Sequence, residues 1–177
     1  MGTDNSRDYS GDPDSFKKLF GNDNPEEAAR KAFTKKKTLK LIGYWKEKTF
    51  RNEVSKYPDP NLIAFQCVNW EDDDKNRVCQ YLKDGNTLFR YRGFSLCRIC
   101  EQFNGSTELT DGVWVWPQGL AHYVEAHDIL LPEDFIDHVY SNNGNVPKMD
   151  IDSKDYVVSD DFWLEWAEEQ AGAGHVR

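Results

Sequence analysis

The amino-acid sequence predicts a single domain of the α+β class, in which helices flank a central unit of strand, turn, β-hairpin and helix. Two β-prone runs, at 106–109 and 113–116, flank Asp111-Gly112, and this arrangement is a strong short-range signal for a hairpin. In several other segments apolar residues recur three and four positions apart, as in amphipathic helices. A chain of 177 residues can bury a sizeable share of its surface in one core.

The N-terminal region divides into a tail and an arm. Residues 1–12 are polar and have no apolar period, so we expect a flexible tail. Residues 13–42 are predicted to form a helical arm with two helices, the second capped by Asn24. The arm is expected to end near Gly43, which leaves residues 43–177 as the main domain.

The elements before the hairpin follow from local patterns. Residues 39–45 are apolar enough for a strand or a docking segment. A helix is predicted to begin at Asp72-Asp73-Asp74, where negative charge suits a helix N-terminus, and to end with Gly85 as a left-handed cap. Residues 87–92 are rich in aromatics and alternate in polarity, so they predict a strand.

Three helices are predicted after the hairpin. The first is expected at 117–127, with Pro117 as its first residue. The second begins with Leu131-Pro132-Glu133-Asp134 and ends before Asn142. The last is capped by Ser159 and carries an aromatic stripe that belongs either to the core or to an interaction patch. The stripe consists of Phe162, Trp163 and Trp166.

The most specific pattern in the chain is Cys97-x2-Cys100, followed after 21 residues by His122-x4-His127. Two thiolates and two imidazoles complete a tetrahedral shell for zinc, and a full protein shell is typical of a structural ion, since a catalytic zinc keeps a position for water. The sequence therefore predicts one structural Zn²⁺. A redox role for the cysteine pair is disfavoured because no β-α-β pattern surrounds it.

The spacing of the histidines sets a geometric condition. On an ideal helix, residues five apart point about 140° away from each other. We therefore expect the last turn to loosen near residues 126–128, so that His122 and His127 can reach one ion.

A dense pattern of residues extends from Gly93 to His138. It comprises Gly-Phe-Ser-x-Cys-Arg-x-Cys at 93–100, Asn-Gly at 104–105, Glu-Leu-Thr-Asp-Gly at 108–112, Trp-Pro-x-Gly-Leu-Ala-His-Tyr-Val at 116–124, His127, and Leu-Pro-x-x-Phe at 131–135. The pattern resembles a family of small uncharacterised bacterial zinc-finger-like proteins. The resemblance implies zinc binding through the same two cysteines and two histidines, and it implies no activity or partner.

Composition limits the partners. The chain has 31 acidic and 22 basic side chains, for a formal net charge of -9, which disfavours nucleic acids and anionic membranes and favours a basic protein. No stretch approaches the roughly 18 apolar residues of a membrane helix, so a cytoplasmic protein is expected. In that reducing compartment Cys67 and Cys79 are predicted to be reduced core thiols.

These observations predict a non-catalytic, zinc-stabilised protein that acts through protein–protein interaction, as an adaptor or an inhibitor-like protein. Two alternatives stay open. If one histidine were not a ligand, the open zinc site could serve a hydrolase with Glu125 as general base. The cluster of Arg90, Arg92 and Arg98 could instead support a nucleic-acid-binding finger.

Overall fold

A computed structural model describes residues 36–47, 55–62, 65–66, 70–151 and 155–173. From Lys37 onward the described residues form a compact unit of the predicted α+β class. The predicted tail, the two helices of the arm up to residue 35, and Cys67 lie outside the described residues.

The described part of the chain contains five strands and four helices. In chain order they are β1 (Lys37–Leu41), α1 (Asp72–Lys83), β2 (Asn86–Arg90), β3 (Thr107–Thr110), β4 (Trp114–Pro117), α2 (Leu120–His127), α3 (Glu133–Ser141), β5 (Tyr156–Ser159) and α4 (Asp161–Ala173).

The five strands form one sheet in the order β2-β3-β4-β1-β5. The hairpin predicted around Asp111-Gly112 is present, since β3 and β4 pair antiparallel, and Gly112 has the positive φ of 85° that a tight turn requires. β1 lies between β4 and β5 and runs parallel to both.

β1 lies within the last residues of the predicted arm, 13–42, just before Gly43. Leu39 and Leu41 face the core while Lys37, Thr38 and Lys40 are exposed, so the alternation of a half-buried strand is present within a lysine-rich stretch. The compact unit therefore begins at Lys37. Lysines are common both at the end of a helix and on the exposed face of a strand. The lysines of this segment therefore do not distinguish a helical arm from a strand.

Two predictions about helix ends are wrong. Gly85 does not adopt a left-handed conformation, and α1 ends at Lys83, with Asp84 as its C-cap at φ near -87°. Gly85 is instead required by packing, because a Cβ there would lie 2.7 Å from the Trp116 ring. Pro117 ends β4 rather than starting a helix, and α2 begins only after Gly119.

The aromatic stripe of α4 belongs mainly to the core. Trp163 is fully buried, stacks on Trp166 at 4.8 Å between ring centroids, and meets the edge of Trp45 at 5.0 Å. The indole nitrogen of Trp163 donates to the backbone oxygen of Tyr44 at 2.7 Å. These contacts fix α4 against the segment that follows β1.

Asp111 is a buried carboxylate that joins the hairpin to the helices. Its Oδ1 accepts hydrogen bonds from the backbone N–H groups of Val113 and Trp114, at 2.8 and 2.7 Å. Its Oδ2 accepts from the Tyr81 hydroxyl at 2.8 Å and lies 3.0 Å from Nε2 of His138. These partners satisfy a group that would be costly to bury alone.

Candidate metal centre

The two cysteines lie on a folded-back loop between β2 and β3, residues 95–105, which we call the knuckle. Backbone hydrogen bonds hold its two arms together, from Ser95 to Gly105 at 2.8 Å and from Cys97 to Gln102 at 2.8 Å. The chain reverses through a left-handed residue at Glu101 and leaves through another at Gly105, with φ of 61° and 90°. Gly105 adopts the positive φ that glycine allows, whereas nothing in the sequence indicated the left-handed conformation of Glu101.

The structure brings all four predicted ligands together. Nε2 of His122 lies 3.2 Å from Sγ of Cys100, and Nε2 of His127 lies 3.3 Å from Sγ of Cys100 and 3.4 Å from Sγ of Cys97. All four donor atoms lie within 4.8 Å of one another. With metal–sulfur and metal–nitrogen bonds of about 2.3 and 2.0 Å, the donors of a tetrahedral ion are about 3.3–3.8 Å apart. The donor set therefore fits one metal ion.

The histidines converge without an opened turn between them. Helix α2 stays regular through His127, and the left-handed residue follows it, at Asp128, with φ of 50°. The backbone N–H of Ile129 donates to the carbonyl of Tyr123 at 3.2 Å and closes the helix end. The loosening expected at 126–128 is therefore confined to Asp128, and the two imidazole rings meet at 5.0 Å between centroids.

Tyr123, between the two histidines in the sequence, joins the helix to the knuckle. Its buried hydroxyl accepts a hydrogen bond from the backbone N–H of Arg98 at 2.7 Å. Within the knuckle, the N–H of Ile99 points at Sγ of Cys97, at 3.4 Å. Burial raises the pKa of Tyr123, so its hydroxyl stays neutral. Burial and the neighbouring His122 lower the pKa of His127, which favours the neutral imidazole that a metal binds.

Gly119 permits the close approach of α2 to the knuckle. A Cβ at this position would lie 2.2 Å from Cγ of Asn104 and 2.3 Å from its backbone oxygen. Asn104 is itself buried and hydrogen-bonded through its N–H to the carbonyl of Ser95 at 2.9 Å. The contact is not evident from the sequence. The one feature that points to it is a glycine, Gly119, immediately before the helix that carries the two histidines.

Glu125, the candidate general base, forms an ion pair with Lys83 on α1 at 3.0 Å. Its carboxylate is exposed, and it does not belong to the group of close donor atoms formed by the two cysteines and two histidines. A second ion pair, Lys75 to Asp128 at 2.6 Å, also links α1 to α2. These pairs hold the ligand-bearing helix on α1.

The three arginines of the predicted cluster, Arg90, Arg92 and Arg98, differ in their surroundings. Arg98 pairs with Glu47 at 3.3 Å between Nη2 and Oε1, whereas Arg90 and Arg92 are exposed.

A patch of exposed apolar side chains covers β2 and the knuckle. Phe103 is 80% exposed and Phe94 72% exposed, and their rings meet at 6.0 Å. The aromatic patch, as we call it, consists of Phe89, Tyr91, Phe94, Leu96 and Phe103. The sequence predicts a strand that includes Phe89 and Tyr91, but it does not indicate that Phe94 and Phe103 are exposed. Large contiguous apolar patches on a surface are typical of interaction sites.

Comparison of the chain with protein-family models, with curated proteins and with solved structures finds no match. The resemblance to bacterial zinc-finger-like proteins therefore stays a prediction. Within the described ranges, no helix has both the length and the apolar character to cross a bilayer.

Proposed function

We propose that this chain binds one structural zinc ion and uses the zinc-pinned knuckle as a docking surface for a protein partner, in the manner of an adaptor or inhibitor. The observation that carries the proposal is the coincidence of two features in one loop. The knuckle supplies two of four converging metal donors and exposes Phe103, whose ring meets that of Phe94, the exposed residue just before the knuckle.

The choice of zinc rests on donor chemistry. A tetrahedral set of two thiolates and two imidazoles is typical of zinc, and hard cations prefer oxygen donors. Such an ion would hold the knuckle to α2 through Cys97, Cys100, His122 and His127. With four protein donors it keeps no position for water, and Glu125 is engaged with Lys83, so the arrangement favours a structural role over hydrolysis.

Metal analysis tests this part of the proposal. Protein purified without chelator should contain one equivalent of zinc, and replacement by cobalt(II) should produce the intense visible bands of a tetrahedral thiolate site. Cys100→Ser should lose these bands. A stoichiometry near zero, or an octahedral cobalt spectrum in the wild type, would overturn the zinc assignment.

The docking surface is supported by exposure and by charge. Aromatic side chains dominate the binding energy of protein interfaces, and two phenylalanines that remain exposed side by side suit that use. The net charge of -9 favours a basic partner.

Site-specific crosslinking tests the surface. A photoreactive amino acid at Phe103 should crosslink a discrete partner in cells. The same group at Val157, which is 44% exposed on β5 at the opposite edge of the sheet, serves as the control. The partner is then purified, and Phe94→Ser/Phe103→Ser should weaken its binding about tenfold or more, whereas Val157→Ser should not. Equal crosslinking at both positions, or unchanged affinity of the double variant, would overturn the proposal.

A further inference from the structure

A cavity of about 880 Å³ opens beside the knuckle. It lies between the segment after β1, strand β3 and the knuckle, and Phe94 and Leu96 of the aromatic patch form part of its lining. Four tyrosines and two glutamates are among the residues that line it. They include Tyr44, Tyr57, Tyr91 and Glu108.

Among the described residues, hydrogen bonds reach one oxygen of the Glu108 carboxylate. The Oε1 atom accepts hydrogen bonds from the hydroxyls of Tyr44 and Tyr91, the latter at 2.8 Å. Neither a hydrogen bond to Oε2 nor an ion pair to Glu108 occurs among the described residues. The two tyrosines therefore orient a half-buried carboxylate and leave its second oxygen available.

The cations of the cavity are already paired. Arg98 contacts Glu47 at 3.3 Å, and Lys56 forms an ion pair with Asp160, which also accepts the hydroxyl of Tyr57 at 2.9 Å. Among the described residues, Arg98 and Lys56 are thus matched by Glu47 of the lining and by Asp160, which lies outside it. Glu108 supplies a negative charge that no described cation neutralises.

Aromatic faces line the wall next to this charge. The rings of Tyr44 and Tyr57 lie 5.5 Å apart at an angle of 43°. Burial and the hydrogen bond to Glu108 raise the pKa of Tyr91 to about 12, and burial raises the pKa of Tyr44 further still, so both remain neutral donors at neutral pH. A carboxylate combined with tyrosine faces is a setting that attracts ammonium and guanidinium groups.

We propose that this cavity receives a cationic side chain, lysine or arginine, of the protein that docks on the knuckle. The inference rests on the proposed function, since it assigns the chemistry of the partner at that surface. The Oε2 atom of Glu108 accepts the cation, the tyrosine rings contact its aliphatic stem, and Phe94 and Leu96 contact the apolar residues beside it.

The test uses small probes and therefore needs no partner. The zinc-loaded full chain is titrated with the Nα-acetyl methylamides of lysine, arginine and norleucine, and backbone amide shifts are followed by NMR. The cationic probes should give saturable shifts at residues around the cavity, with weak affinity expected of single amino acids. Norleucine has a comparable apolar stem and no charge, and it should give none. Comparison of the lysine and arginine probes shows which cation the site prefers.

The Glu108→Gln variant removes the negative charge of the carboxylate and keeps an oxygen in its place. Glutamine keeps an oxygen that can accept both tyrosine hydroxyls, so the variant should fold, and it should bind the preferred probe about tenfold more weakly. Glu125→Gln, on the exposed ion pair with Lys83, is the matched control and should bind as the wild type does.

Equal binding of norleucine, or unchanged binding by a folded Glu108→Gln variant, would overturn the inference. If the titration fails while crosslinking at Phe103 persists, the inference is wrong and the proposed function stands. If the crosslinking fails while the titration succeeds, the docking surface is wrong and the cation site is real.

Discussion

Gly119 is the position at which a single added carbon atom should disturb the metal centre most. In Gly119→Ala the new Cβ would lie 2.2 Å from the side chain of Asn104 and 2.3 Å from its backbone oxygen, whereas normal contacts between heavy atoms are about 3.5–4.0 Å. Asn104 cannot easily retreat, because it is buried and hydrogen-bonded to Ser95. The overlap must therefore be relieved by moving the knuckle away from α2.

The expected loss of stability follows from this overlap. Overpacking costs about 1–3 kcal/mol, and the involvement of a backbone atom points to the upper end, about 3 kcal/mol. For a chain of this length each kcal/mol lowers Tm by about 2–4 °C, so the melting temperature should fall by about 6–12 °C. Displacement of the groups that orient the ligands should also weaken zinc binding by about 10- to 100-fold.

Differential scanning calorimetry and competition with a chromophoric chelator measure the two effects. Gly93→Ala is the matched control, because no atom lies within 4 Å of a Cβ at Gly93. Its free energy of unfolding should stay within about 0.5 kcal/mol of the wild type. If Gly119→Ala matched Gly93→Ala in both melting and zinc affinity, the close contact between helix and knuckle would not exist.

Three further predictions concern the metal, the buried carboxylate and alkaline pH. A strong chelator should lower the Tm of the wild type and of Cys79→Ala. It should not change the Tm of Cys97→Ser, which is already low without chelator. An equal effect of the chelator on all three proteins would contradict the metal site. Asp111→Ala leaves two or more buried hydrogen-bond donors unpaired, each at a cost of about 1–3 kcal/mol. Urea denaturation should therefore show a free energy of unfolding lower by about 3 kcal/mol or more. A decrease below about 1 kcal/mol would contradict the hydrogen-bond network of Asp111. Burial and the hydrogen bond to Asp160 raise the pKa of Tyr57 from 10.0 to about 12, so the unfolded chain releases this proton first and stability should fall as pH rises from 10 toward 12. Tyr57→Phe should flatten that decline in urea denaturation across pH, and an unchanged slope would refute the assignment.

The parts that the sequence predicted correctly depend on short-range patterns. The hairpin follows from Asp111-Gly112, and α1 and α3 follow from acidic first turns and apolar residues three and four apart. The grouping of the ligands follows from Cys97-x2-Cys100 in a knuckle and two histidines on one helix. In each case neighbours in the chain decide the geometry.

The parts that were missed depend on contacts between distant segments. β5 is only four residues long, and its pairing with β1 gives it a place that its own pattern does not reveal. The role of Gly119 comes from Asn104, which reaches it through the fold. Aromatic residues in a sequence suggest a core, so the exposure of Phe94 and Phe103 becomes visible only once the knuckle projects from the sheet.

The place of β1 between β4 and β5 has a consequence for biosynthesis. Its neighbour β5 and the indole of Trp163, which bonds to Tyr44 across 119 positions, are made long after β1. At about 5–20 residues per second, the ribosome needs roughly 6–24 seconds to supply them after Tyr44 emerges. During that interval one edge of β1 lacks its final neighbour, so its backbone N–H and C=O groups on that side are unpaired.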